Sequence, residues 1–405
     1  MKVLVTLEDH LWRHAPEGVC GHGPAGYDSW SELLEVFEQV VLLARVQLER
    51  ERSPDGLRID GPSISVAELP DYVGPWEYLT RQPVLRHLVR KAVADCDAFL
   101  LRVPGLVAYL AWHEVKRRGR PYAVDVVGDP WDAFGPGTMT DPFRPLYRFW
   151  ATHSMKAICA RADAALYCSN GALRERYLVA RDVHSAIAPR IHLLNGYASP
   201  ELMAKRSGRS YRWPTERRPL RLGFVGSLAQ LYKGPDILLR ATRIVVQAGI
   251  DIEVFLVGEG RYRERIESLA QGLGIDKRVF FLGQLPFGKA IFDFLDSLDL
   301  FIMPSRAEAF GRALLEAMAR GCPCIGADVG GIRSLLDRAD LFPCGDPESL
   351  ASKILEVTAR PERMAQMSAR NLERAKEFNP EVLAKRRRDF FRAVRISSER
   401  SAAAG

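Results

Sequence analysis

Beyond residue 219 the chain alternates short apolar runs with stretches of good helix formers, and few folds accommodate that pattern. Residues 220–225, 252–257, 278–282 and 298–304 read as strands, and helices ending near Gln247, Leu273 and Ser297 fill the intervals. Strands so uniformly apolar are covered on both faces, which implies a parallel sheet with helices packed on either side. The last of these units carries the most information. Leu298-Asp-Leu-Phe-Ile-Met-Pro304 is a buried strand, residues 313–320 form a helix, and Gly321 stands where a left-handed C-cap belongs. A further strand and turn follow over 324–331, and Asp346 is placed to cap a helix opening at Pro347.

Glu308 falls in the loop between strand and helix, Phe310-Gly311-Arg312 at the helix N-terminus, and Glu316 on the second helical turn. Free backbone N–H groups and the helix dipole favour an anion at such a terminus. Eight steps of about 100° leave the two acids about 80° out of phase, so they do not share a helix face. One acid in the loop and one on the helix can instead grip two parts of a ligand whose negative group lies between them. Carboxylates accept hydrogen bonds, which suits hydroxyl-rich molecules such as ribose or a hexose. The plainer reading is a solvated loop glutamate and a half-buried helix glutamate, and the two acids alone do not decide between them.

The first 200 residues repeat the alternation less cleanly. Strands fall at 2–7, 40–46, 97–103, 121–127, 163–168 and 191–196, with helices over 27–37 and 106–118. The loop after the first strand carries Gly18-Val-Cys-Gly21-His22-Gly23-Pro-Ala-Gly26, whose glycines let a ligand approach the backbone. No Gly-x-Gly-x-x-Gly is present, so a plain flexible loop reads equally well. Gly128-Asp129 ends a strand on the edge where doubly wound sheets hold ligands. Residues 201–219, polar and interrupted by Pro214 and Pro219, read as a linker. The 405 residues are therefore expected to form two α/β domains, 1–205 and 218–380, followed by a basic C-terminal helix over 381–400.

Lys+Arg 57 against Asp+Glu 50 leaves a net charge of +7. That modest excess fits a polyphosphate ligand or an anionic membrane surface, but without dense basic blocks it argues against nucleic acid. The seven cysteines are scattered and include no Cys-x-x-Cys pair, so no metal site is expected and a reducing cytoplasm fits. The opening Met1-Lys-Val-Leu-Val-Thr-Leu7 is too short for a signal peptide, and no apolar run approaches the ~18 residues of a membrane span. A cytoplasmic protein is expected, with peripheral contact at the inner membrane face through the C-terminal helix as an open alternative.

Taken in order, Gly226-Ser-Leu-Ala-Gln-Leu-Tyr-Lys233-Gly234, Val257-Gly258-Glu-Gly260, Phe281-Leu-Gly283, Met303-Pro-Ser305, Glu308-Ala-Phe-Gly-Arg-Ala-Leu-Leu-Glu316 and Val329-Gly-Gly-Ile332 resemble the landmarks of GT-B retaining glycosyltransferases of family four, the glycosyl transferases group 1. The resemblance covers residues 220–394 and extends more loosely, through Asn195-Gly196 and the strand pattern, to the first half. It implies an α/β GT-B fold: two Rossmann-like domains facing across a cleft, with the C-terminal helix crossing back to the first. It also implies a metal-independent hexosyltransferase with no cofactor. The donor would be a UDP- or GDP-linked sugar, and the acceptor a carbohydrate or a lipid-linked molecule in polysaccharide or glycoconjugate assembly.

Carried over residue by residue, Glu316 would meet the ribose hydroxyls and Glu308, as a catalytic group, the donor hexose. Lys233 and the N–H groups of Phe310, Gly311 and Arg312 would neutralise the diphosphate. Gly226, Ser227, Gly258, Ala309 and Ala313 would complete the donor pocket, with Gly21, His22 and Gly23 on the sugar and acceptor side. Ser227 stands where relatives often carry an arginine, and Arg333-Ser334 where they carry a glutamate. Gly128-Asp129 stands where a histidine is common, which makes Asp129 the catalytic candidate by position. These departures leave two other readings open: a catalytically idle sugar-nucleotide-binding subunit, and a sugar-nucleotide epimerase of the same architecture.

Overall fold

The computed structural model describes residues 1–14, 18–21, 26–48, 57–139, 141–179, 184–189, 196–212, 218–286 and 288–403. The chain divides into two compact units. One gathers Met1–Gly128, Trp150–Pro189 and Leu383–Gly405; the other gathers Asp129–Phe149 and Arg190–Val382.

In the first unit the strands are β1 (Lys2–His14), β2 (Gly18–Gly21), β3 (Gln39–Leu48), β4 (Leu57–Arg58), β5 (Ile64–Pro70), β6 (Ala98–Val103), β7 (Ala123–Val126), β8 (Ala164–Tyr167) and β9 (Ala186–Ile187). Seven run parallel in the order β5-β3-β1-β6-β7-β8-β9, and β2 and β4 are added antiparallel beside the far end of β1. The helices of this part of the chain are α1 (Asp28–Ser31), α2 (Gly74–Ala94), α3 (Leu106–Arg117), α4 (Pro130–Ala133), α5 (Arg144–Cys159) and α6 (Ala172–Arg176), of which α4 and the start of α5, up to Phe149, fall in the second unit. Val3, Leu4, Val5 and Leu7 are fully buried, as a central parallel strand requires.

Three local expectations change here. The first strand does not stop at Leu7. It slips register against β3 between Thr6 and His10, then continues through His14 with Leu11 buried between polar neighbours. This half is only partly covered, and β2 pairs antiparallel with its far end. Part of the glycine-rich stretch is therefore strand rather than loop, and Gly21 pairs with Leu57 of β4. The helix expected over 27–37 is short, α1 followed by one tight turn over Glu32–Glu35. The expected strand at 191–196 lies outside the described residues except for Gly196.

In the second unit α7 (Pro200–Arg212) occupies most of the stretch expected to be a linker. The reason is Arg206. Its buried guanidinium donates to the carbonyls of Leu295, Leu298 and Arg320 at 2.8, 2.9 and 2.8 Å, which holds the helix on the domain. The strands are β10 (Leu220–Val225), β11 (Ile252–Val257), β12 (Val279–Gly283), β13 (Leu300–Met303), β14 (Cys324–Ala327) and β15 (Leu341–Phe342). Between and after them come α8 (Pro235–Gln247), α9 (Arg263–Gly272), α10 (Lys289–Ser297), α11 (Arg312–Ala319), α12 (Ile332–Leu335), α13 (Pro347–Thr358), α14 (Pro361–Lys376) and α15 (Pro380–Ala403). All strand pairs are parallel, in the order β12-β11-β10-β13-β14-β15. The chain winds outward from β10 to β12 and then returns to β13 on the other side of β10. The loops after β10 and β13 diverge at that reversal, where open α/β sheets bind ligands.

The C-terminal α15 enters the first unit at Leu383. Leu383, Phe390, Phe391 and Val394 are buried, and Arg387 makes a bidentate pair with Glu32, both bonds 2.7 Å, while donating to the Pro189 carbonyl at 3.1 Å. Arg387→Ala should cost about 2–4 kcal/mol, because it strands Glu32 and a carbonyl in a mostly buried site. Thermal unfolding checks this; an unchanged melting temperature would mean that the helix is held by its apolar face alone.

Candidate active site

Each piece of the second unit's candidate site follows from local sequence. The helix α11 starts at Gly311, whose φ of +99° a residue with a Cβ would rarely adopt. Glycine also offers no capping side chain, so the first amides of α11 carry no such partner. At the other end Cys322 N–H donates to the Ala317 carbonyl and Gly321 N–H to that of Met318, both at 2.9 Å, with Gly321 at φ +61°. This paired closure is the Schellman arrangement the sequence implied. Leu314, Leu315, Ala317 and Met318 are fully buried, so packing fixes the helix axis.

The loop after β10 is knitted to its neighbours by backbone. Gly226 N–H donates to the Val257 carbonyl at 3.0 Å and Leu228 N–H to that of Glu259 at 2.9 Å. Its far end is held by Arg306, whose N–H reaches the Tyr232 carbonyl at 2.6 Å. The Arg306 guanidinium pairs with both Asp236 oxygens at 2.8 and 2.7 Å. A Cβ on Gly234 would stand 2.0 Å from the Pro304 carbonyl oxygen, so only glycine lets the two loops meet this closely.

That closeness brings Lys233 to Glu308. The Lys233 Nζ donates to Glu308 Oε2 at 2.6 Å, with only 16% and 11% of the two side chains exposed. Ser305 Oγ lies 3.5 Å from the same oxygen. Burial alone would lower the Lys233 amine, but the Glu308 carboxylate, Tyr232 and the hydrogen bond together raise it above its ordinary value. A fixed cation is thus held at the sheet's reversal point, beside the amides of a helix N-terminus. Arg312 stands in the same field, since its charge acts on both Lys233 and Glu316. The Glu308 loop is itself braced. Gly331 N–H donates to the Glu308 carbonyl at 2.8 Å, and a Cβ on Gly330 would lie 2.0 Å from that oxygen.

Glu316 is a different kind of acid. Burial pushes its carboxyl up to about 7, against the pull of Arg312. An acid raised from its ordinary 4.5 keeps, when folded, a proton that the unfolded chain has released. Its stabilising effect is present below pH 4.5 and is lost as pH rises to about 7. The gap from 4.5 to 7 corresponds to about 3 kcal/mol at most. Ligand-free wild type should therefore lose melting temperature across that window relative to Glu316→Gln. Glu8, also raised to about 7 by burial, titrates in both proteins and cancels from the comparison. Parallel curves for the two proteins would refute the assignment.

The remaining sequence candidates are placed as follows. Ser227 Oγ accepts the Ala229 N–H at 3.1 Å. Gly258, at φ +139°, donates its N–H to the Gly283 carbonyl at 2.8 Å. The Phe310 ring is buried edge-on against Phe378, their centroids 5.5 Å apart. Ala309 lies in the braced loop, and Ala313 on the first turn of α11. Asp129 is the N-cap of α4, accepting the Trp131 N–H at 2.9 Å, and belongs to the second unit. Its segment comes near the same loops, since a Cβ on Gly137 would stand 3.0 Å from Arg306 Nε. Gly21 is in β2, and His22 and Gly23 lie outside the described residues. Sequence reasoning missed Arg306 and Asp236. The run Lys-Gly-Pro-Asp at the start of α8 was a signal for Asp236, but nothing marked its partner 70 positions away.

Residues 212–374 match the family model described as glycosyl transferases group 1. Protein CapJ of Staphylococcus aureus is 23% identical over 80% of this chain and 78% of its own length. A GDP-mannose-dependent alpha-(1-6)-phosphatidylinositol dimannoside mannosyltransferase of Mycobacterium tuberculosis is 33% identical, over 34% of this chain and 35% of its own length. Among solved structures, sucrose-phosphate synthase from Thermosynechococcus elongatus superposes with a TM-score of 0.68 at 19% identity, covering 98% of this chain and 99% of that one. The likeness at this identity is one of fold, and the fold is GT-B.

Proposed function

We propose that the chain transfers a hexose from a UDP- or GDP-linked sugar to a carbohydrate or lipid-linked acceptor, with retention of anomeric configuration. The observation that carries this reading is the Lys233–Glu308 pair at the sheet's reversal point, beside the uncapped start of α11. As the bond from the anomeric carbon to the diphosphate oxygen breaks, negative charge grows on the leaving group. Lys233, Arg312 and the α11 amides would stabilise it, since preorganised donors act most strongly on charge that develops in the transition state.

Glu308, already held by Lys233, would accept hydrogen bonds from hydroxyls of the donor hexose, and Glu316 from those of the ribose. The acceptor oxygen would attack from the face the leaving group departs, passing its proton to a departing phosphate oxygen. Asp129 is proposed near the reacting centre, and Gly21 with His22 and Gly23 on the acceptor side.

Incubation with a panel of UDP- and GDP-linked hexoses tests the reading. Donor turnover should occur with one member of the panel, and NMR of the product should show the donor's anomeric configuration. Binding without turnover of any donor would point to an idle subunit. A rearranged nucleotide sugar formed without acceptor would point to epimerisation.

A further inference from the structure

A cavity of about 860 Å³ lies at the end of the first sheet where β7 and β8 begin, away from the carboxyl edge at which open α/β sheets hold their ligands. All of its lining belongs to the first unit: the stretches 119–123 and 161–164, His184, and the last turns of α15 from Ala393 to Ser401. β7 and β8 pair with Ala123 opposite Ala164, and Arg120 and Arg161 each stand three residues before that pair. Two cations thus reach the cavity from equivalent positions before neighbouring strands. On α15, Ser397, Arg400 and Ser401 are three and four residues apart, which sets them on one face of the helix.

The cations here differ from others on the same helix. Arg387, Arg388, Arg392 and Arg395 of α15 each hold a carboxylate, at 2.7, 3.0, 3.3 and 2.8 Å. Among the described residues, Arg400 and Arg161 have no such partner. Arg120 donates to the Asp97 carbonyl at 2.6 Å and lies over the Phe99 ring, but it too pairs with no described carboxylate. Asp163 is the one acid in the lining, against three guanidiniums and His184. The hydroxyls divide in the same way. Tyr122 and Ser398 donate to the Ile158 and Val394 carbonyls at 2.7 and 3.0 Å, whereas Ser397 and Ser401 have no partner among the described residues. Guanidiniums gathered without counter-charge, beside unused hydroxyls, are donors for an oxyanion. A tetrahedral phosphate has more acceptor oxygens than a carboxylate and can meet donors arriving from three segments at once. The volume exceeds that of a lone phosphate and falls in the range of small-molecule pockets, and Pro121, Val394 and Ile396 add an apolar wall.

We propose that this cavity binds a phosphorylated small molecule, its phosphate held by Arg120, Arg161 and Arg400 and its body against the apolar wall. A ligand so held joins α15 to the starts of β7 and β8, and fastens the segment that completes the first unit. The site is separate from the donor site and does not depend on the transferase reading.

Titration of the full chain with inorganic phosphate, against chloride at equal ionic strength, should slow amide exchange over residues 393–401 and raise the melting temperature. Phenyl phosphate, which adds an apolar body, should act at lower concentration. In R161Q/R400Q the affinity read from the exchange titration should fall at least about tenfold. Both side chains are exposed, so this variant should fold; S397A/S401A supplies a second comparison with a smaller loss. K233Q, altered at the donor site, should keep the wild-type response. No response to phosphate beyond chloride, an equal response in R161Q/R400Q, its loss in folded K233Q, or phenyl phosphate acting no better than phosphate would overturn the proposal. So would cosedimentation with phosphatidic acid vesicles, abolished in R161Q/R400Q, by a protein that ignores free phosphate, which would assign the cavity to a lipid headgroup.

Discussion

Glu308→Gln should lower kcat/KM for the accepted donor by about a thousandfold or more, equivalent to about 4 kcal/mol of transition-state stabilisation. Gln preserves the shape of the side chain but removes the charge that Lys233 meets at 2.6 Å. The variant keeps Lys233 and the α11 amides, so a nucleoside diphosphate should still bind. Loss of turnover with retained binding separates a role at the sugar from a role in holding the phosphates. Calorimetry of diphosphate binding, run beside the turnover assay, reads both. Full turnover in the variant would remove Glu308 from the chemistry and with it the central premise of the proposed function.

Arg206→Met should be the most destabilising single change on the structural side, at about 3–5 kcal/mol. Methionine fills much of the volume but leaves the carbonyls of Leu295, Leu298 and Arg320 without their donor in a site that is 96% inaccessible, since Arg206 is only 4% exposed. The Leu298 and Arg320 carbonyls belong to the C-caps of α10 and α11, where a helix has no partners of its own to offer. For a unit of this size the melting temperature should fall by about 10 °C. A fall of a degree or less would mean that water replaces the guanidinium, and that α7 is held by other contacts.

How far the sequence could be read depended on what the side chains had to do. The strands at 220–225 and 252–257 and the helix at 289–297 match β10, β11 and α10 residue for residue. The two strands are buried almost throughout and α10 buries Ile291, Phe294 and Leu295 on one face, so composition and structure report the same fact. The Gly321 closure and the Asp346 cap, which accepts the N–H groups of Glu348 and Ser349, were legible for a similar reason: backbone geometry at a helix end demands those residue types. The first unit was harder. The Glu8–His14 half of β1 is polar except for Leu11 and Trp12, so an eye tuned to apolar runs ends the strand too early. The helix α2 went unassigned because Pro83 interrupts it and its apolar residues follow no clear stripe. At the candidate site Glu308, Lys233 and Glu316 were within reach, each belonging to a local motif. Arg306 and Arg206 were not, because their partners are set by topology, and nothing in the sequence near an arginine names a carbonyl 92 positions away.

The first unit is built from three separated stretches of chain, the last of them α15. During synthesis the last residue of the second unit, Val382, is made and emerges before the α15 stretch that completes the first. The earlier unit must then wait with the surface meant for Leu383, Phe390 and Phe391 still bare. Order of assembly here runs against order of translation, and the nascent N-terminal half is the part most in need of a chaperone's cover.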